Sequence, residues 1–155
     1  MSAEDVLNAA RTKDVRIATA ESCTGGMVAV ALTDIPGSSD VVECGFVTYS
    51  NDAKTSLLNV SSQTLATFGA VSEEVAAQMA RGAVAASNAS LAVSVTGIAG
   101  PGGSEHKPEG RVCFGVAHSD GTIHTETVEF GAKGRANVRR MSCDYALVLL
   151  QDALS

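Results

Sequence analysis

Three polar, glycine-rich stretches carry residue types from which a hydrolytic site can be made: Glu21-Ser22-Cys23-Thr24-Gly25-Gly26, Tyr49-Ser50-Asn51 with Lys54, and Thr96 through Ser104. Ser22 is a candidate nucleophile. The glycines behind it open a turn in which the backbone N–H groups of Thr24, Gly25 and Gly26 can face a developing oxyanion or a bound phosphate. On residue type alone, Ser22 or Thr24 serves equally well as the N-cap of a helix. A serine nucleophile needs a base, and His106, His118 and His124 have no partner carboxylate in a recognisable arrangement. Lys54 is the other candidate, because a desolvated lysine loses its proton near neutral pH and can accept one from a hydroxyl; left in solvent it is an ordinary surface lysine. Thr96 can relay a proton, donate to an oxyanion, or simply end a strand. Cys23 rivals Ser22 on paper, but nothing near it marks a base, and a small buried hydrophobe is its simpler role.

Two further groups could hold an anion. The loop from Gly97 through Gly100 to Ser104 is dense enough in glycine for close backbone approach to a ligand, although it lacks the G-x-x-x-x-G-K-[ST] phosphate loop. Lys133, Arg135, Arg139 and Arg140 form a basic cluster that reads either as a phosphate site or as a solvated helix face. No spacing supports a metal, and no cofactor is expected. Cys23, Cys44, Cys113 and Cys143 contain no C-x-x-C pair and are expected to be reduced thiols.

These residues need a scaffold that brings three separate stretches together. Helical spacing predicts a first helix over residues 1–13, and the β-branched run 15–20 predicts a strand entering the Ser22 turn. An Ala/Val-rich helix over 27–32, a second strand over 41–49 and a short helix carrying Lys54 follow. Ser61 and Ser62 can cap a helix through Phe68, and Ser72 opens a stronger one through Ser87, with Val75, Met79, Gly82 and Ala83 facing inward. Leu91 to Val95 suits a central, doubly covered strand. A hairpin is expected from 111–118 and 122–130 around Ser119-Asp120-Gly121, and then a closing helix over 134–150 with Val138, Met141, Tyr145 and Leu149 on its inner face. The pattern implies a three-layer αβα domain with a mixed central sheet, spanning 1–155 as one unit. Ligand sites in such sheets gather beyond the carboxyl ends of strands, where all three polar stretches fall.

Composition narrows the partners. The 155 residues include 17 acidic and 11 basic side chains, a net charge of -6, which argues against gripping nucleic-acid phosphates or anionic lipid. No apolar run reaches the ~18 residues of a membrane span, and the first residues lack the apolar core of a signal peptide, so a cytoplasmic location is expected. With 45% hydrophobic and only 18% charged residues, the surface is quiet enough for a homo-oligomer.

Thr19-Ala20-Glu21-Ser22-Cys23-Thr24-Gly25-Gly26, Phe46-Val47-Thr48-Tyr49-Ser50-Asn51 with Lys54, Gly69-Ala70-Val71-Ser72, Thr96-Gly97-Ile98-Ala99-Gly100-Pro101 and Lys107-Pro108 together resemble the CinA C-terminal domain family. The resemblance covers about residues 6 to 150. It implies a stand-alone nicotinamide-nucleotide amidase that hydrolyses nicotinamide mononucleotide to nicotinate mononucleotide and ammonia in pyridine-nucleotide salvage. It also implies that the additional N-terminal domain of longer members, with any activity of its own, is absent. Ser22 matches the family's serine, Lys54 its lysine, Thr96 its strand-end hydroxyl and Tyr49 its tyrosine. The sequence departs from the pattern in a glycine loop one residue shorter and in Glu109, where an apolar residue is commoner. The expected chemistry is acyl transfer: Ser22 attacks, Lys54 takes its proton, Thr96 helps pass it on, and Arg135 or Arg139 holds the phosphate. A non-catalytic pyridine-nucleotide-binding module is the alternative, needing the glycines and arginines but not the Ser22 and Lys54 pair.

Overall fold

The computed structural model describes residues 2–155. Its helices are α1 (Ala3–Thr12), α2 (Met27–Thr33), α3 (Asn51–Leu58), α4 (Ser62–Phe68), α5 (Glu73–Ala85) and α6 (Arg135–Ala153). Its strands are β1 (Ile17–Glu21), β2 (Val42–Val47), β3 (Leu91–Gly97), β4 (Arg111–His118) and β5 (Ile123–Glu129). Of the helix expected over 1–13, Met1 lies outside the described residues. Serine starts four of these helices: the hydroxyls of Ser2, Ser50, Ser61 and Ser72 each accept a first-turn backbone N–H, satisfying donors that have no partner within the helix.

The sheet runs β2-β1-β3-β4-β5, with β1 parallel to both β2 and β3, and β4 and β5 antiparallel. It is an α/β fold with a mixed central sheet. Alternation along the strands splits the core. Ile17, Leu91, Val93, Val95, Val112, Phe114 and Val116 pack under α1, α2 and α6, while Ala18, Ala20 and Ala92 pack under α3 and α5. The second face is made of small residues, so α5 lies close: a Cβ on Gly115 would come within 2.6 Å of the Ala76 carbonyl.

Two expectations shift. Strand β2 runs over Val42–Val47 rather than to Tyr49, and the carbonyls of Thr48 and Tyr49 accept from Lys54 Nζ. The inner face of α6 carries the fully buried Val138, Ser142, Ala146 and Leu150, with Leu149 buried as expected, whereas Met141 and Tyr145 are half-buried. Tyr145 packs on the edge of this core, against Phe114 (centroids 4.9 Å apart) and Phe130.

Candidate active site

The chain leaves β1 through α2 on one face of the sheet, then reaches β3 through α3, α4 and α5 on the other. The carboxyl ends of β1 and β3 therefore flank the point where strand order reverses, the usual place for a ligand crevice. Ser22 sits there. Its N–H donates to the Val95 carbonyl at 2.9 Å, and the Thr48 N–H donates to the Glu21 carbonyl at 2.8 Å, so neighbouring strand ends fix its backbone from both sides. It stands in a cavity of about 350 Å³ with Tyr49, Lys54, Thr96, Arg135 and the loop 97–105.

Lys54 is 1% exposed. Its Nζ lies 3.0 Å from Ser22 Oγ, 3.1 Å from the Thr48 carbonyl and 3.3 Å from the Tyr49 carbonyl. Burial pushes its pKa below the ordinary lysine value, which favours the neutral amine. Such an amine has two N–H bonds and one lone pair. In that form the two carbonyls match the bonds and the lone pair faces the Ser22 hydroxyl, whose oxygen also lies 3.5 Å from the Tyr49 carbonyl, an arrangement compatible with a nucleophile beside its base.

The turn after Ser22 is braced from below by Glu21. This fully buried carboxylate accepts from Thr24 Oγ1 at 2.6 Å and from the N–H groups of Gly26, Val28 and Ala29 at 3.2, 3.0 and 3.0 Å. It takes the place of an N-cap: neither Ser22 nor Thr24 caps α2, whose first flanking residue, Gly26, offers no side chain. Of the N–H groups expected to face an oxyanion, that of Gly25 bonds the Ser22 carbonyl at 3.1 Å and that of Gly26 is bound to Glu21. Thr24 likewise spends its hydroxyl on Glu21. The Cys23 and Thr24 N–H groups are the ones in this turn with no bond to another described residue. Cys23 is 5% exposed and its thiol is pushed up to about 11 by burial, so it carries little thiolate at neutral pH.

The two arginines separate. Arg139 is no part of the cavity wall; its Nε donates to the Cys23 carbonyl at 3.1 Å and its Nη2 to that of Thr24 at 3.4 Å, holding the turn from behind. Arg135 does line the cavity, donating to the Gly100 carbonyl at 2.7 Å and to the Tyr49 hydroxyl at 2.6 Å. Tyr49 is 60% exposed, and it is its carbonyl that meets Lys54. Thr96 donates to the Ala70 carbonyl at 2.9 Å and bonds neither Ser22 nor Lys54, so the structure does not bring the expected relay together.

The glycine loop lines the cavity and is also constrained from inside the protein. A Cβ on Gly97 would meet the Val112 side chain at 2.6 Å, and one on Gly100, at φ +94°, would meet the Glu109 carboxyl carbon at 2.5 Å. Glu109 accepts the Gly102 N–H at 2.6 Å and so shapes the loop from within. Glu21 and Arg139 are the bracing residues that residue types alone did not reveal. A signal for the first existed: an acidic residue closing an otherwise apolar strand, directly before a glycine-opened helix.

The family model described as the CinA C-terminal domain matches residues 1–154. A CinA-like protein of Mycolicibacterium gilvum is 54% identical over 140 residues, 90% of this chain but 33% of that protein; the chain spans about a third of the length of such relatives. The nicotinamide-nucleotide amidohydrolase PncC of Escherichia coli K12 is 50% identical over 148 residues, 95% of this chain and 89% of PncC. The crystal structure of the competence damage-inducible protein A from Klebsiella pneumoniae superposes with a TM-score of 0.94 at 36% identity, covering 98% of this chain and 94% of that one. The chain belongs to the CinA C-terminal domain family.

Proposed function

We propose that the chain, as a single domain over 1–155, is a nicotinamide-nucleotide amidohydrolase that converts nicotinamide mononucleotide to nicotinate mononucleotide and ammonia. The observation that carries this reading is the 3.0 Å contact between Lys54 Nζ and Ser22 Oγ inside a cavity large enough for a small molecule. The likeness to PncC, whose name states the activity, supports the substrate.

In this reading Ser22 Oγ attacks the carboxamide carbon while neutral Lys54 takes the hydroxyl proton, and the oxyanion accepts from the N–H groups of Cys23 and Thr24. Lys54 then returns the proton to the amide nitrogen, the C–N bond breaks and ammonia leaves a nicotinoyl ester. Water, deprotonated by Lys54, cleaves that ester, and Ser22 Oγ recovers the proton. The Thr96 hydroxyl, whose hydrogen points to Ala70, has lone pairs with which to accept an N–H of the carboxamide and orient it. Arg135 holds the phosphate, with Tyr49 setting its direction. No step uses a metal or cofactor. A cytoplasmic homo-oligomer without nucleic-acid or membrane partners accompanies the proposal; among the described residues no helix is long and apolar enough to cross a membrane. Incubation of the purified protein with nicotinamide mononucleotide tests it: ammonia and nicotinate mononucleotide should appear in equal amounts, and binding without release of either would favour a non-catalytic module.

A further inference from the structure

Ser104 to Lys107 close a two-residue hairpin, the Ser104 N–H donating to the Lys107 carbonyl at 3.0 Å and the Lys107 N–H to that of Ser104 at 2.8 Å. The tip residues, Glu105 and His106, both have left-handed backbones, φ 52° and 64°. A tight hairpin turn of this hand favours Asn-Gly at those positions; two side-chain-bearing residues here cost strain that calls for a functional reason. The tip is also tied down. Lys107 Nζ donates to the Phe68 and Val71 carbonyls at 2.7 and 2.5 Å, and Glu105 Oε2 occupies the space that any side chain on Gly69 would fill. Gly69 and Lys107 belong to motifs that the proposed acyl transfer leaves without a role.

The hairpin these contacts hold carries Glu105, an exposed carboxylate, at its tip. Glu105 lines the same cavity as Ser22, Lys54 and Arg135; among the described residues no cationic side chain comes within 4.0 Å of its carboxylate, although Lys107 Nζ stands 3.1 Å from the same Gly69 Cβ position. In a chain of net charge -6, an unpaired carboxylate in the wall of a site that takes a phosphate ester weakens binding unless the ligand also brings positive charge. Nicotinamide mononucleotide does: its ring nitrogen is quaternary, so the molecule is a cation beside the carboxamide and an anion at the phosphate. Without a cation beside it the carboxylate also favours the charged form of Lys54, opposing burial, and a ring cation paired with Glu105 would cancel that opposition.

We propose that Glu105, held in place by Gly69 and Lys107, is a specificity-determining residue that pairs with the quaternary ring of the substrate, so that the site selects oxidised, cationic pyridine nucleotides over neutral ones; this rests on the amidohydrolase reading above. Reduced nicotinamide mononucleotide is the neutral comparison: it keeps the carboxamide, ribose and phosphate, while a hydride added at C4 removes the ring's charge together with its aromaticity, and the Glu105→Gln arm separates the two. Calorimetric titration of Ser22→Ala, which prevents turnover, with both ligands should show tighter binding of the oxidised form by about fivefold, the upper range for an exposed ion pair. Adding Glu105→Gln should erase that preference by weakening the oxidised form alone, with the reduced form unchanged within about twofold. Equal weakening of both ligands, a preference that survives Glu105→Gln, or no binding of either overturns the proposal. Ammonia release by the unmodified protein is measured separately. If it is absent while the preference still tracks Glu105, the catalytic reading fails and the specificity assignment stands; if it is present and the preference ignores Glu105, the reverse holds.

Discussion

The carbonyl oxygen of Leu58, at the end of α3, fills the space where a Cβ on Gly82 of α5 would stand. The two helices touch backbone to backbone at this point, and Lys54 lies about one helical turn before Leu58 on the same buried side. Gly82→Ala must push α3 off α5. We expect a loss of about 1–3 kcal/mol, as for other overpacked sites, and slower ammonia release because Lys54 retreats from Ser22. Thermal melts and ammonia assays on the same sample check both; an unchanged melting temperature would show that α3 yields freely.

Ser22→Ala should abolish ammonia release with the fold retained, because the hydroxyl caps no helix and its removal leaves Lys54 the Thr48 and Tyr49 carbonyls. Cys23→Ala should stay active, since its thiol is buried and its pKa raised to about 11. Reversed results would make the protein a thiol hydrolase.

Lys54→Met removes the amine while keeping most of the stem, and the chemical step should slow at least ~100-fold. Burial lowers the folded-state pKa of Lys54. In the parent, the rate should therefore climb with pH and level off below the ~10.4 of a free lysine. Stability has the same sign: between the folded pKa and the ordinary value, the unfolded chain holds a proton that the native chain has released. Stability thus rises with pH across that window, and the destabilisation is full below it. Denaturant melts of Lys54→Met should lack this slope.

Glu21→Ala strands the N–H groups of Gly26, Val28 and Ala29 and the Thr24 hydroxyl in a buried turn. A loss of at least ~3 kcal/mol is expected, from several charge-assisted bonds at once. Glu21→Gln keeps one acceptor oxygen and should recover part of both stability and turnover; if Gln and Ala behave alike, the carboxylate does not position Ser22.

Arg135 and Arg139 should respond differently to the ligand. Arg135→Ala is expected to raise KM for nicotinamide mononucleotide far more than for its dephosphorylated riboside. Arg139→Ala releases the Cys23 and Thr24 carbonyls and should lower kcat for both substrates to the same extent. Kinetics on the two substrates separate the roles, and a phosphate-dependent effect of Arg139→Ala would return that residue to the binding site.

The elements and the three strand-end stretches are legible in the sequence because periodicity, serine caps and glycine turns act locally. The meeting of Ser22 with Lys54 is not, since it depends on the β2-β1-β3 order and on how closely α3 and α5 approach. Residue type does not reveal that the N–H groups of Gly25 and Gly26 bond Ser22 and Glu21, or that Gly97 and Gly100, while lining the cavity, are also kept free of side chains by Val112 and Glu109. Arg135 and Arg139, four residues apart on one helix, reach different partners, which spacing alone does not distinguish.

Strand β4 lies antiparallel to β3, with Val112 opposite Gly97 and His118 opposite Leu91. The Ser119-Asp120-Gly121 turn therefore sits about 20 Å from the Thr96 end, at the far pole of the sheet. A Cβ on Gly121 would meet nothing within 4 Å, so the turn has open space around it. An epitope or a fluorescent reporter spliced there would label the protein without crowding the cavity, and immobilisation through that pole would leave the mouth of the cavity facing outward.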